Sequence, residues 1–362
     1  MKQITTLLIL AIFFSSCTKD QGAKNTMPTK LSVNIPDNLS TDEVSRSVQS
    51  TNLMDGADTY EMIRAFVATA EGAAEVVEAI TTSLHEHKID QVMDFPFVGD
   101  DGRNKRMMVE EDKDYEGTTW DLKLTATDKA LNDTAIQVFW NKGEAAGIAI
   151  LHPYHMNRED NGDVNEVYKI DYSELESAYD ARMIVEVSAT SNDDEWSLNK
   201  IKLFAAKIGD EFVLYGNSNH PNVGSAFSSY TEGANYVFTA KSNETYDIAV
   251  AEIALPPSTL PHTDNILKTY SVEDVLKDEV IKQLHNSGEV DTTTFTEADW
   301  IAYYDNLDAQ IINLGAPAYF NEDGFISAGA SLPTGFTEDF VDMSDLSPYI
   351  PIDIKNLEIK FE

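Results

Sequence analysis

The sequence predicts an α+β fold dominated by β structure, with a long N-terminal amphipathic helix packed on a large antiparallel meander. Three observations carry that expectation. Between residues 118 and 255, apolar side chains fall at every second position through a succession of short segments, the period of strands with one face on a core. Polar turn-formers separate the segments, as in Asn141-Lys142-Gly143 and Gly209-Asp210, so strands adjacent in sequence are expected to pair in space. From residue 58 to about 87 the apolar period changes to three and four residues, which marks one face of a helix.

The chain opens with Met1-Lys2, an apolar run over residues 4–14, and Ser15-Ser16-Cys17. A basic start, a short apolar stretch and small residues before a cleavage point make a secretory signal, and the run is too short to span a bilayer as a helix. Phe14-Ser15-Ser16-Cys17 resembles the lipobox of bacterial lipoproteins, with Phe14 standing where Leu is usual. That resemblance implies a signal peptide over residues 1–16, a lipid on Cys17 and attachment to the bacterial outer membrane, on either its periplasmic or its cell-surface face. Residues 17–30 are polar and aperiodic, with Gly22 and Pro28, and read as a tether.

Cys17 is the only cysteine, so the exported domain has no internal disulfide and must be held by its core. The 26 Lys and Arg stand against 62 Asp and Glu for a net charge of −36, which becomes −37 once a leader carrying Lys2 and no acid is removed. Phosphate backbones are repelled by such a field, which excludes nucleic acid as a partner.

Residues 31–255 are expected to form one helix-plus-meander domain. Leu31-Ser32-Val33-Asn34-Ile35 alternates like an early strand. The helix carries Met62, Ile63, Phe66, Val67, Ala70, Ala73, Ala74, Val77, Ile80 and Leu84 on one face, with Asp58 and Glu61 as a capping box. In the meander, Trp120/Leu122/Leu124, Ile136/Val138/Trp140, Met183/Val185/Val187, Ile201/Leu203/Ala205 and Tyr236/Phe238/Ala240 give one strand face each. Because twisted open sheets rarely exceed ~10 strands, the run is expected to curl into a barrel-like form or fold as a two-sheet sandwich.

The Pro256-Pro257-Ser258-Thr259-Leu260-Pro261 stretch marks a boundary before a C-terminal extension, 256–362, packed on the same core. One helix begins at Ser271 and Asp274, and a second begins at Thr296 and carries Trp300, Ile301, Tyr304 and Leu307. Asn321-Glu322-Asp323-Gly324 reads as a hairpin turn, and Ile352, Ile354, Leu357, Ile359 and Phe361 as a last strand with a register break at Asn356.

Chemical signatures are sparse. The chain has no Gly-x-Ser-x-Gly elbow, Walker loop, dinucleotide fingerprint or His-Glu-x-x-His helix. His85 and His87, two apart near a helix end, point to different faces; His152 and His155 are spaced to share a metal with a distant acid. No cofactor is expected beyond calcium, for which Asn161 and Asp163 in a Gly-containing acidic loop, and Asp323 in the hairpin turn, supply oxygen ligands. Trp196, set among acids in a loop, is the expected exposed ligand contact.

The expected function is that of a non-enzymatic binding or assembly lipoprotein of the envelope, taking a small hydrophobic ligand, a glycan or a protein partner. A helix followed by a curved meander is loosely similar, in arrangement alone, to the incomplete-barrel lipoprotein carriers of bacterial envelopes. Two alternatives stand beside it: a lipid-anchored hydrolase of polymers with its site in the rim loops, and a structural subunit of a surface assembly. A carrier requires a cavity lined by faces such as Met183/Val185/Val187, a hydrolase requires converging polar groups in a cleft, and an assembly subunit requires an exposed apolar patch or sheet edge.

Overall fold

The computed structural model describes residues 33–40, 54–86, 89, 91–99, 101–156, 165–188, 198–225, 230–261, 266–287, 292–328, 330–331, 343, 346 and 351–362. Cys17, Asn161, Asp163 and Trp196, with the leader and tether, lie outside the described residues.

A single antiparallel sheet of 13 strands dominates the fold. Its strands are β2 (Met93–Val98), β3 (Asn104–Tyr115), β4 (Thr118–Asp128), β5 (Asp133–Trp140), β6 (Ala146–Leu151), β7 (Val167–Ser173) and β8 (Ala181–Ser188). They are followed by β9 (Lys200–Ile208), β10 (Glu211–His220), β11 (Ala234–Asn243), β12 (Ile248–Ala254), β14 (Ala318–Asn321) and β15 (Gly324–Ala328). Spatial order follows sequence order from β2 to β12, after which β14 and β15 extend the same ladder. The extension after Pro256 therefore returns to the sheet that precedes it. β2 and β15 end the ladder without pairing to each other, so the sheet is not closed. The free strand β2 carries Pro96, whose missing N–H suits an edge position.

Turn chemistry sets the register. At the tip of β3 and β4, Glu116 (φ 48°) and Gly117 (φ 82°) both adopt left-handed backbone, the pairing that a two-residue hairpin requires between Tyr115 and Thr118.

Helix α1 (Gly56–Glu86) lies against the inner face of the sheet. Tyr60, Ile63, Phe66, Val67, Ala70, Ala73, Ala74, Val77 and Ile80 are buried with Met183, Val185, Val187, Leu203, Leu214 and Phe238 in one continuous core. Phe66 stacks on Phe238 at 5.7 Å and meets Tyr236 edge-on at 6.1 Å. On the far side of the helix Asp58, Glu75 and Ala79 remain exposed, so α1 occupies the trough of the sheet with its polar side outward. Its start is pinned: β1 (Met54–Asp55) pairs in parallel with β13 (Ile311–Ile312), and a Cβ at Gly56 would overlap the Asn313 carbonyl. Only glycine permits that approach.

Cap and strand boundaries differ from expectation in three places. α1 begins at Gly56, with the Asp55 carboxylate accepting from the Ala57 N–H at 3.0 Å, so Asp58 lies inside the first turn and is not the cap. Residues 33–36 are irregular chain: Val33 and Ile35 alternate into the core, but no neighbouring strand takes up their backbone. The last apolar stretch is the short helix α6 (Pro351–Lys355) followed by an extended tail outside any ladder; we number the shorter helices α2 (Pro153–Met156), α3 (Ile266–Thr269), α4 (Val272–Ser287) and α5 (Glu297–Gln310).

Many strands are buried on both faces. All six residues of β6 are buried, as are nine of the ten in β11. Later segments cover the outer face. Tyr115 from the β3–β4 tip stacks on Phe139 at 4.6 Å, and Ile359 and Phe361 of the tail pack beside Ile148 and Ile150. The tail is held by polar contacts as well: Gln137 exchanges hydrogen bonds with the Glu362 backbone, donating at 3.3 Å and accepting at 2.9 Å, while Lys123 pairs with the Glu362 carboxylate at 2.5 Å. Alternation in the sequence marks the inner face, whereas apolar outer positions such as Phe139, Ile148 and Phe204 belong to these secondary cores.

Replacing Phe66 by Ala is expected to destabilise the fold by about 3–5 kcal/mol, measured by denaturant unfolding. Burial raises the pKa of Tyr60, Tyr115, Tyr172, Tyr230 and Tyr236 above the ordinary value, and pushes that of Tyr215 up to about 12. Folded pKa values above the ordinary 10 mean that the native state keeps protons which the unfolded chain releases, so stability is intact below pH ~10 and falls as pH rises beyond it. Absorbance of tyrosinate should therefore appear cooperatively with alkaline unfolding; independent titration of all 15 tyrosines near pH 10 would contradict this burial.

Candidate functional site

Inside the sheet, the closest approach to a catalytic pair is Ser218 and His220 on β10, with Oγ and Nε2 2.8 Å apart. Residues two apart on a strand share a face. Both are essentially inaccessible, at 0% and 1% exposure, and His220 is enclosed by Phe66 at 6.2 Å and Tyr236 at 5.0 Å. A nucleophile must reach its substrate, so this pair serves as a satisfied polar contact in the core. The sequence gives no sign of it beyond a Ser-x-His spacing.

A second grouping lies at the rim formed by the β2–β3 turn, the β4–β5 turn and α2. Asp101 and Asp128 are buried there, with Lys105 Nζ 3.3 Å from Asp101 and Arg103 3.9 Å from Asp128. Lys105 also donates to the Met156 carbonyl, tying β3 to the end of α2. His152 and His155 come together, but their rings stack at 3.8 Å with planes 8° apart. Lone pairs lie in the ring planes, and two parallel planes do not meet at a common ion, so the pair does not chelate. His155 Nδ1 instead lies 3.1 Å from the Thr134 carbonyl, and its Nε2 lies 3.6 Å from Asp133. Opposite charges neutralise one another across this rim, and its lysine and histidines hold α2 in place.

Asp323 sits in the β14–β15 turn, where its backbone N–H donates to the Asn321 side chain at 3.1 Å and the Glu322 N–H donates to Asp247 at 2.9 Å. These oxygens serve the turn itself. Among the described residues, no three His, Cys, Asp or Glu side chains gather as a metal-binding group.

The third grouping is exposed. Thr296 caps α5: its side chain accepts from the Asp299 N–H at 3.3 Å, and the Asp299 carboxylate accepts from the Thr296 N–H at 2.8 Å. Hydrogen bonds from the Thr296 side chain and then its backbone hold the Asp299 carboxyl below the usual range, so this cap is complete at neutral pH and is lost as pH falls through that lowered value. The capped first turns carry aromatic rings, of which Tyr304 is exposed. Phe295 lies 5.0 Å from Trp300, and Trp300 and Tyr304, one turn apart, lie 5.8 Å apart with planes 25° from parallel. Tyr303 meets Phe295, Trp300 and Tyr304 edge-on.

The apolar residues of α5 are unevenly covered: Leu307 is 4% exposed and Trp300 half-buried, but Ile301 is 57% and Tyr304 47% exposed. The helix joins the body at its C-terminal end, where Ile311 caps it by donating to Leu307 and leads into β13. Periodicity identified the helix and its apolar residues; it carries no information on whether another element covers them. α5 is thus fixed at one end to the anchor of α1 and presents Ile301 and Tyr304 to solvent.

No known protein family, curated protein or solved structure matches the chain.

Replacing Trp300 by Phe should remove a red-shifted, acrylamide-quenchable part of the tryptophan emission, because Trp140 and Trp120 are 0% and 7% exposed and contribute little to it. A blue-shifted, unquenchable difference spectrum would contradict the exposure of α5.

Proposed function

We propose that this chain is a non-enzymatic lipoprotein of the bacterial outer membrane, held by lipid on Cys17, that works as a binding or assembly module from the outside of its sheet. The observation that carries the reading is that α1 covers the inner face of the sheet while Ile301 and Tyr304 of α5 stay exposed. The Met183/Val185/Val187 face, which a carrier would use to line a cavity, is covered by α1. Ile63, Phe66, Val67, Val77 and Ile80 alone contribute roughly 10 kcal/mol by burial, as much as the net stability of a typical domain. A hydrophobic ligand entering the sheet would have to replace that contribution. An exposed aromatic helix, by contrast, is available without rearrangement to a glycan or a protein partner.

Lipid attachment supplies the membrane address in this reading; among the described residues no helix is long and apolar enough to cross a bilayer. Cys17→Ala should move the protein from the membrane fraction to the soluble fraction and abolish metabolic labelling with palmitate; retention of both would remove the anchor from the proposal. Native mass spectrometry of the lipidated protein, before and after mild organic extraction, should give the mass of the lipidated chain alone. A discrete additional mass lost on extraction would favour a carrier and overturn the outside-binding reading.

A further inference from the structure

We infer that the exposed face of α5 is a docking site for a cationic amphipathic segment of a partner protein, an inference that rests on the outside-binding reading above. Aromatic side chains are interleaved with carboxylates on this helix. Residues 292–310 contain four acids, Glu297, Asp299, Asp305 and Asp308, and no Lys, Arg or His. Four-residue spacing puts Glu297, Ile301 and Asp305 along one ridge and Trp300 and Tyr304 along the next. Glu297, Ile301, Tyr304 and Asp305 are all exposed.

Each part of that surface selects for positive charge with apolar flanks. An ammonium or guanidinium group is attracted to an aromatic face and, independently, to a carboxylate on the neighbouring ridge. Ile301 supplies an apolar knob for the hydrophobic side of the incoming segment, as in helix-on-helix recognition. The net charge of −36 steers cations toward the molecule and repels anionic headgroups and nucleic acid. A neutral glycan would use the rings but gain nothing from the charge.

Rigidity adds to the case. The Thr296–Asp299 capping box fixes the first turn, and Gly56 against Asn313 fixes the segment into which α5 runs. A pre-ordered surface avoids the ordering cost on binding.

The test uses the full lipidated protein in zwitterionic nanodiscs, with empty nanodiscs as the blank. Three probes are titrated: a labelled synthetic Lys/Leu amphipathic peptide, its Glu/Leu counterpart and a soluble neutral glucan. The wild type should bind the Lys/Leu peptide in a salt-dependent manner and neither of the others. Tyr304→Ala and Trp300→Ala should each weaken it about tenfold, Tyr304→Phe should restore it, and Glu297→Gln with Asp305→Asn should weaken it and flatten the salt dependence.

Equal binding of the Lys/Leu peptide by wild type and Tyr304→Ala would assign it to diffuse attraction by an acidic surface and overturn the site. Tyr304 is nearly half exposed at 47%, so its truncation is expected to leave the thermal midpoint unchanged and the result readable. Absence of peptide binding, or glucan binding lost in Tyr304→Ala, would overturn the cationic partner while leaving the outside-binding reading intact. An extractable ligand in native mass spectrometry would remove that broader reading instead.

Discussion

Contact between α1 and the inner face of the sheet is the constraint on which the rest of the molecule depends. A ladder of 13 antiparallel strands with unpaired ends has no hydrogen-bonded closure to fix its curvature. The apolar stripe of α1 fixes it instead: Phe66 sits among Tyr236, Phe238 and His220, while Tyr60 reaches Phe325 on β15, with ring centroids 6.1 Å apart. One helix thus touches the middle of the sheet and its last strand. Polar contacts secure its flank, where the buried Arg64 donates to backbone carbonyls of Asp37 and Ser40 and so holds the irregular segment 33–40 across the core.

The outer face answers a different problem. A wide sheet with one face in water would present Phe139, Ile150, Phe204 and Val250 to solvent, yet all four are buried. Other segments fold over them: the β3–β4 tip and the C-terminal tail share one small core with Phe139 and Ile150, Met343 packs with Val250, Leu346 packs beside Phe204, and α3 covers a further core at Val237 and Ala254. Charged residues on this face are arranged to match, as Glu186 lies between Lys169 at 3.4 Å and Lys202 at 3.1 Å. Such partly buried pairs are screened less than exposed ones and are costly to break singly. What remains uncovered among the described residues then has meaning, and on α5 the exposed Ile301 and Tyr304 stand beside the half-buried Trp300.

Local signals in the sequence translated well. Period-two runs became strands, Ser271 and Thr296 became helix caps, and Asn321 to Gly324 became a hairpin turn. Long-range outcomes did not, because periodicity reports which residues share a face and not what that face meets. Ile359 and Phe361 alternate like a strand, but their partners are side chains of β6 and not a neighbouring backbone. Trp300, Ile301 and Tyr304 have the spacing of a buried stripe, yet Trp300 is half-buried, Ile301 and Tyr304 are exposed, and Leu307, one turn on, is buried. The stacking of His152 on His155 depends on the turn of α2 against β5, which residue spacing does not encode.

The proposal of binding from the outside of the sheet rests on α1 covering the inner face and on the exposure of Ile301 and Tyr304. Hydrogen exchange of the full chain, resolved by peptide, tests this most directly. If α1 is permanent core, amides across residues 63–80 will exchange only in the global event that also releases β8 to β11, while those of residues 297–306 exchange earlier. Exchange of 63–80 through an earlier opening, with β8 to β11 still protected, would mean that the helix leaves the sheet as a lid, and the interior would then be the binding site.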